Sequence, residues 1–405
     1  RTSVTTTFWR MKCRRCMDSM TGCADCNRRQ LREITVHRKI RKDSTTGTRV
    51  KKGKSKIMGT YSKKYKRKLS VLSVLTAAIF LLTGCGQSEE TVYQIPEDKK
   101  LIVYTAHKEE VYEPIIKEFE ERTGIFVELK AGDTIALFEE LQQDPPGTFD
   151  VMFGGGIENF EECREYLQPY RVAETDQIEE AYRVEGDAYT PFSVLPIVFI
   201  YNSKLVYPVA APKTWDELQT DRWKGKIAFA DPNKSGSSFT ALCTMLQVVD
   251  AEEQVILRNF NDALDGNISP SSGAVLDEVN TGTRLVGITN EGMARQRILE
   301  GEDLVMTYPT DGTSAIPDAT AIVKGTKHLE NAQLFLDFTV SQDAQRLVEE
   351  AFLRRTVRND MPEKTTAEDN RLKAIDYDVT WAASEKESIL AAWDALQRSK
   401  DEKVD

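Results

Sequence analysis

Strands and helices alternate from residue 101 onwards, and this alternation restricts the fold more than any other feature of the sequence. Short apolar runs at 101–105, 125–129 and 149–153 predict three strands. Between them, residues 111–119 and 134–143 carry apolar side chains at helical spacing. Successive strand–helix units form a parallel sheet whose loops gather at the carboxyl ends of the strands.

A second series of strands and helices follows, and it predicts a second lobe. Residues 194–201 are apolar and β-branched, as expected of a strand that crosses between lobes. The chain is then predicted to return through residues 319–323. We therefore predict an α/β fold with lobe I at 99–193 and 313–405 and lobe II at 194–312.

The charge of the chain changes sign near residue 85. Residues 1–84 contain 22 of the 54 Lys and Arg residues but only four of the 64 Asp and Glu residues, which leaves 32 basic and 60 acidic residues from 85 onwards. An acidic body of this kind argues against nucleic acid and anionic membrane surfaces as partners. Any anion that it binds must be held by local donors.

A signal peptide is predicted at residues 58–84. Met58 precedes a basic run at 63–68 and an apolar run at 69–82, which ends shortly before Cys85. Fourteen helical residues rise about 21 Å, less than the roughly 30 Å hydrocarbon core, so the run is typical of a signal peptide and not of a membrane span. The polar residues 85–98 that follow are predicted to be a tether.

Residues 1–57 are interpreted as a leader outside the mature fold, with Met58 as the true start. A zinc knuckle is the alternative, because four cysteines there are spaced as two Cys-x2-Cys pairs. Their six-residue separation is shorter than the usual loop of about 15–20 residues, so we predict no metal site. Cys163 and Cys243 lie in different predicted lobes, and both are expected to be buried and free.

Short motifs follow one another in a specific order between residues 99 and 360. They are Tyr104-Thr105-Ala106-His107-Lys108-Glu109, Phe149-Asp150-Val151, Trp215-Asp216-Glu217-Leu218, Trp223-Lys224-Gly225-Lys226, Asp231-Pro232 with Ser235-Gly236-Ser237, Tyr308-Pro309 with Asp311-Gly312, and Asn331-Ala332-Gln333 with Phe335-Leu336-Asp337-Phe338. In this order they resemble the family 1 extracellular solute-binding proteins. The resemblance implies a type II periplasmic-binding-protein-like fold, with a ligand held in a cleft between two lobes and delivered to an ABC permease.

Two further implications come from resemblance. The tetrad Leu82-Thr83-Gly84-Cys85 resembles the lipobox of bacterial lipoproteins, which implies a diacylated Cys85 and a protein anchored on the extracytoplasmic face of the cell membrane. Within the solute-binding family, the chain is similar to binders of ferric iron, phosphonates and sugar phosphates. We expect a monomer without a cofactor.

The ferric-iron binders of this family use a His, a Glu and two Tyr as ligands. Only His107 matches this set; glycines 154–156 replace the Glu, and Asn290 and Glu291 stand where the Tyr pair is expected. Fe³⁺ needs hard anionic oxygen ligands, so the comparison argues against bare iron.

Three stretches are candidates for holding an anion, because each precedes a predicted helix and offers backbone amides or hydroxyls. Ordinary helix capping and permissive turns are the alternative explanations. The candidate residues are Ser235, Gly236, Ser237 and Ser238 in the first stretch, Gly155 and Gly156 in the second, and Ser272 and Gly273 in the third.

Four more residues are candidates at strand ends. Thr105 and His107 end the first strand beside the expected cleft. Glu291 and Asp311 could hold a hydroxyl or an ammonium group, although the first could instead be a solvated helix residue and the second part of an Asp-Gly turn.

The leading hypothesis is a binding protein for a small phosphorylated or phosphonate solute. The sequence contains no G-x-S-x-G, P-loop or H-E-x-x-H motif, and we predict that the protein is not an enzyme. Ferric iron carried with an anion, a polyamine, and a role as the partner of a membrane histidine kinase remain alternatives.

Overall fold

The computed structural model describes residues 95–362 and 371–401. The predicted leader, the signal peptide, Cys85 and most of the tether lie outside this part of the chain. Within it, no helix combines the length and apolar character needed to cross a membrane.

The strands lie in two separate sheets. In chain order they are β1 (Lys100–Thr105), β2 (Phe126–Ala131), β3 (Val151–Gly156), β4 (Leu167–Gln168), β5 (Thr190–Val194), β6 (Ile197–Asn202), β7 (Ile227–Ala228), β8 (Val286–Asn290), β9 (Leu304–Thr307), β10 (Pro317–Val323) and β11 (Arg355–Thr356). Lobe I has the order β11-β5-β10-β3-β1-β2, with β4 also beside β10, and lobe II has the order β7-β8-β6-β9. The predicted two-lobed α/β fold is confirmed.

Helices cover both sheets. In chain order they are α1 (Glu109–Thr123), α2 (Thr134–Gln143), α3 (Ile157–Glu162), α4 (Trp215–Leu218), α5 (Gly236–Val248), α6 (Glu253–Leu264), α7 (Ser272–Asn280), α8 (Glu291–Leu299), α9 (Leu329–Val340), α10 (Gln342–Glu350), α11 (Val379–Ser384) and α12 (Lys386–Asp401). Those that follow a parallel strand begin at its carboxyl end, where the cleft lies.

The core of lobe I forms because α1 carries one apolar face. Val111, Ile115 and Phe119 recur at helical spacing and are almost fully buried. The ring of Phe119 packs edge-on against Phe335 of α9, with centroids 5.0 Å apart. The helix ends at Gly124, whose φ of 66° gives the left-handed conformation that favours glycine. These contacts hold β1 and its carboxyl end in place.

Two crossover segments join the lobes side by side. The backbone N–H of Leu195 donates to the carbonyl oxygen of Ile316 at 2.9 Å, and that of Ile197 donates to Ser314 at 3.1 Å. Leu195, Ile197 and Ile316 also line the cleft, so this pair of segments forms its floor.

The position of the C-terminal helix α12 differs from the prediction, which assigned all of residues 313–405 to lobe I. Trp393 of α12 is 1% exposed and packs against Phe229 and Phe260 of lobe II, at centroid distances of 5.9 and 6.2 Å. Lys386, at the start of α12, reaches Asn159 of lobe I at 2.7 Å. The apolar face of α12 matches a hydrophobic surface of lobe II, and the segment therefore contacts both lobes.

Cys163 and Cys243 are buried and free, as expected. Burial raises the pKa of the Cys163 thiol to about 11 and also raises the pKa of the Cys243 thiol. Both side chains are therefore protonated, packed groups.

Candidate functional site

A cavity of about 140 Å³ lies between the lobes and is lined by both of them. Its polar and charged lining residues are His107, Lys108, Asp133, Thr134, Asp231, Lys234, Ser235, Ser237, Thr240, Ser271, Ser272, Asn290, Asp318 and Arg354. Three of these side chains are basic and three are acidic, so side-chain charge alone favours neither anions nor cations.

The backbone gives the cavity its electrostatic character. Five helices, α2, α3, α5, α7 and α8, begin at the cleft, and each of the residues that precede them lines it. These N-cap residues are Asp133, Gly156, Ser235, Ser271 and Asn290. Helix N-termini carry partial positive charge, so their convergence favours an anion. Some of their first amides are already bonded, namely those of Ser238, Ala274, Glu291 and Met293.

The start of α5 combines a capping serine, a hydrogen-bonded turn before it and two unbonded amides. Ser235 caps the helix, and its Oγ accepts a hydrogen bond from the backbone N–H of Ser238 at 3.3 Å. Asp231 shapes the preceding turn, because its carbonyl oxygen accepts the backbone N–H groups of Lys234 and Ser235, each at 3.0 Å. The backbone N–H groups of Gly236 and Ser237 donate to no other described residue. The hydroxyl of Ser237 lies 3.2 Å from Ser235 Oγ, and its proton is available to a solute when Ser235 is the donor of that pair. Two amides, and in that arrangement the Ser237 hydroxyl, can therefore bind a solute at the cleft.

The lobe I wall of the cleft contains a buried charged cluster. Arg354 donates through Nη1 to Asp318 Oδ2 at 3.0 Å and to Ser193 Oγ at 3.2 Å. The ring Nδ1 of His107 lies 3.7 Å from Asp318 Oδ2, which is too far for a hydrogen bond. Burial raises the pKa of Asp318 and lowers that of Arg354, and each charge partly offsets the effect on the other.

His107 is neutral in this environment. Burial, reinforced by the positive charge of Arg354, holds the pKa of His107 well below its usual value. Its Nε2 is buried without a partner among the described residues. Gly154 permits this packing, because a Cβ at that glycine would lie 2.8 Å from the ring.

Seven of the predicted site residues line the cleft. They are His107, Gly155, Gly156, Ser235, Gly236, Ser237 and Ser272. The predicted glycine run differs in one respect, since it belongs to the end of β3 and not to a turn. Gly155 has a φ of 115°, and a Cβ there would lie 2.8 Å from the ring of Phe138, so the backbone position requires glycine.

Three other predicted residues lie just behind the lining. Thr105 is fully buried; its hydroxyl donates to the carbonyl oxygen of Phe153 at 2.8 Å and accepts from the backbone N–H of His107 at 3.1 Å. Ser238 donates to Ser235 Oγ at 3.1 Å. Gly273 lies in the first turn of α7, outside the lining. The first two position cleft residues.

Glu291 and Asp311 are turned away from the cleft. Arg355 binds the Glu291 carboxylate with Nε at 2.7 Å and Nη2 at 3.0 Å, which joins lobe I to lobe II. Arg295 and Tyr308 also contact this fully buried carboxylate. Asp311 accepts the backbone N–H of Trp215 at 2.9 Å. Glu291 therefore has structural partners in place of a ligand, whereas Asp311 is held through Oδ2 and its buried Oδ1 has no partner among the described residues.

The sequence interpretation missed Arg354, Asp318, Thr134 and Asn290. Arg354 comes from the loop after α10 and Asp318 from β10, both far along the chain from His107. No local pattern marks a residue that reaches the cleft only through tertiary packing. Asn290 and Thr134 did carry a usable signal, because polar residues beside a predicted helix start are typical of capping positions.

A family model described as "Bacterial extracellular solute-binding protein" matches residues 148–380. The chain is 25% identical over 290 residues to iron uptake protein A1 of Synechocystis, covering 65% of this chain and 78% of that one. It is 26% identical over 198 residues to a candidate 2-aminoethylphosphonate-binding periplasmic protein of Salmonella typhi, covering 47% and 56%.

A solved structure shares the fold. It is the periplasmic binding protein AfuA of Actinobacillus pleuropneumoniae with fructose-6-phosphate bound; the TM-score is 0.67, the identity is 22%, and the match covers 74% of this chain and 98% of that one. These relatives are binding proteins of transport systems and not enzymes. The chain belongs to the family of bacterial extracellular solute-binding proteins, and it is the extracytoplasmic binding component of an ABC importer.

Proposed function

We propose that this protein captures a small solute that carries a phosphoryl or phosphonyl group. The anionic group lies at the start of α5, where the amides of Gly236 and Ser237 and the hydroxyl of Ser237 face the cleft. The observation that carries this proposal is the convergence of five helix N-termini on one cavity. A phosphonate-binding relative and a structural neighbour with a bound sugar phosphate support the same class of solute.

Ferric iron is the second candidate, because one relative is an iron uptake protein. Among residues 95–362 and 371–401, however, no group of three or more His, Cys, Asp or Glu side chains is arranged to hold a metal ion. The cleft donors are amides and hydroxyls, which suit phosphorus oxyanions better than Fe³⁺. The polyamine alternative rests on the acidic body of the chain and on Glu291 and Asp311, and neither of these two residues lines the cleft.

A thermal-shift screen tests the proposal directly. Ethylphosphonate, 2-aminoethylphosphonate, fructose-6-phosphate, spermidine and ferric citrate would be compared. A solute present at 100 times its Kd stabilises the folded state by about 2.7 kcal/mol, which is readily detected. Stabilisation by spermidine or ferric citrate, with no response to any phosphorus oxyanion, would contradict the proposal.

Replacing Ser237→Ala should weaken binding of the best phosphorus oxyanion roughly tenfold to a hundredfold. The hydroxyl donates a charge-assisted hydrogen bond, which contributes roughly 1.5–3 kcal/mol. Isothermal titration calorimetry measures the change. Ser203→Ala is the matched control, because Ser203 is an exposed serine of the same lobe outside the cleft lining. If Ser237→Ala and Ser203→Ala bind the solute with equal affinity, the anion does not lie at the start of α5. Gly155 and Gly156 would then be the next residues to test.

We also propose that Cys85 is diacylated and becomes the first residue of the mature protein. The basic run, the apolar run and the tetrad that ends at Cys85 support this. Cys85→Ala should release the protein from the membrane fraction or leave the precursor uncleaved. Fractionation and immunoblotting measure both effects, and Cys163→Ala serves as the control. Normal cleavage together with normal membrane retention of Cys85→Ala would refute the anchor.

A further inference from the structure

Arg354 is a buried arginine with unused hydrogen-bonding capacity. Its side chain is 9% exposed and lines the cleft on the lobe I side. Burial lowers the pKa of Arg354, and the negative charges of Asp318 and Glu110 oppose this effect. A buried guanidinium normally satisfies most of its five N–H donors, because unpaired donors are costly.

Only one edge of this guanidinium is occupied. Nη1 makes both contacts, to Asp318 Oδ2 at 3.0 Å and to Ser193 Oγ at 3.2 Å. Asp318 is fixed in turn, because its Oδ1 accepts the backbone N–H and the hydroxyl of Ser193, each at 2.8 Å. Arg354 Nε and Nη2, which form the opposite edge, have no partner among the described residues and are not sealed from solvent.

Two nearby arginines use the same pair of nitrogens, Nε and Nη2, to bind a carboxylate. Arg355 places Nε and Nη2 on the two oxygens of Glu291, at 2.7 and 3.0 Å. Arg358 places the same two nitrogens on the two oxygens of Asp360, at 2.7 and 2.8 Å. Both are side-on forks that match a planar carboxylate. Arg354 lines the cleft and has the same two nitrogens unpaired among the described residues.

His107 lies on the other side of Asp318, with Nδ1 3.7 Å from Asp318 Oδ2. Its Nε2 is buried and packs against Gly154, so this nitrogen is not offered to a solute. Arg354 therefore supplies the lobe I donors of this site. The start of α5, with its own free amides, lies on the lobe II side of the cavity.

The cavity is large enough for a small solute. Its volume of about 140 Å³ is close to the roughly 150 Å³ of an engineered protein cavity that holds benzene. A solute with a phosphonyl group and a short carbon chain fits this volume.

We propose that the solute carries a second oxyanion group, a carboxylate, which Arg354 binds side-on while the phosphonyl group lies at the start of α5. The inference rests on the proposed function and narrows it to short phosphonocarboxylates or equivalent phosphorylated acids. An ammonium group in the same position offers no acceptor to the Arg354 N–H groups, and the nearby carboxylate of Asp318 is already paired with Arg354.

Three probes with the same two-carbon chain test this inference: ethylphosphonate, 2-aminoethylphosphonate and 3-phosphonopropionate. Calorimetry at pH 7.5 on the unmodified protein should give 3-phosphonopropionate the highest affinity, about tenfold to a hundredfold above ethylphosphonate. In Arg354→Gln this ratio of affinities should fall to near one. Arg354→Lys keeps the positive charge and should preserve the fold. This variant should retain only part of the affinity ratio, because lysine cannot bind a carboxylate through two nitrogens.

The outcomes separate the two proposals. If neither these three probes nor fructose-6-phosphate binds, the proposed function fails and this inference fails with it. If fructose-6-phosphate alone binds, the narrowing to short phosphonocarboxylates is overturned while the phosphoryl function stands. If ethylphosphonate binds as tightly as 3-phosphonopropionate, or if 2-aminoethylphosphonate binds most tightly, the role of Arg354 is overturned while the phosphonate function stands. The comparison within the unmodified protein decides this even if Arg354→Gln does not fold.

Discussion

Gly236→Asp should reduce affinity for the phosphorus oxyanion by at least about a thousandfold. Gly236 is the first residue of α5, and its Cβ position faces Thr134 across the cleft, with the nearest atoms 3.3 and 3.4 Å away. An aspartate there puts its carboxylate where the anion is proposed to lie, and like charges in close contact cost several kcal/mol. Its charge also suits the start of a helix, so the fold should be preserved.

Gly236→Ala is the matched control for this prediction. It adds the Cβ without the charge and requires a shift of only a few tenths of an ångström at Thr134. We expect a loss of about tenfold or less. Calorimetry and thermal denaturation of both variants separate binding from folding. Binding by Gly236→Asp within tenfold of the unmodified protein would show that the anion does not occupy this helix start.

Trp393→Ala should lower the free energy of unfolding by about 3–5 kcal/mol, the usual cost of truncating a buried aromatic side chain. The indole of Trp393 is 1% exposed and packs against Phe229 and Phe260. Its removal leaves a cavity between α12 and lobe II that neighbouring rings can fill only in part. Urea denaturation followed by circular dichroism measures the change.

Trp381→Ala provides the comparison. Trp381 lies in α11 and is only half-buried, so its loss should cost clearly less. If Trp393→Ala and Trp381→Ala shift the urea midpoint equally little, the C-terminal helix does not belong to the core of lobe II.

Local signals explain why the start of α5 could be predicted. Helix capping depends on residues a few positions apart, and the serines and the glycine that lie between a strand and a helix carry that information themselves. The parallel arrangement of β1, β2 and β3 follows equally from local periodicity. Both features could therefore be predicted from the sequence without knowledge of tertiary contacts.

The remaining cleft residues depend on long-range packing. Glu291 at a strand end is equally compatible with a ligand contact and an ion pair; its partner Arg355, 64 positions further along the chain, decides in favour of the ion pair. Arg354 and Asp318 meet in the same way. The placement of α12 also escaped prediction, because an apolar helical face does not specify which lobe it covers.

The C-terminal segment has a consequence for how the two lobes can move. The two crossover segments lie side by side and define a hinge axis, about which bending and twisting would both be possible. Lys386 adds a further connection between the lobes, because it bonds to Asn159 and Glu162 of lobe I at 2.7 and 2.6 Å while α12 is packed on lobe II. An opening that separates α12 from α3 must break both bonds. The C-terminal segment therefore stabilises this arrangement of the lobes against such a movement.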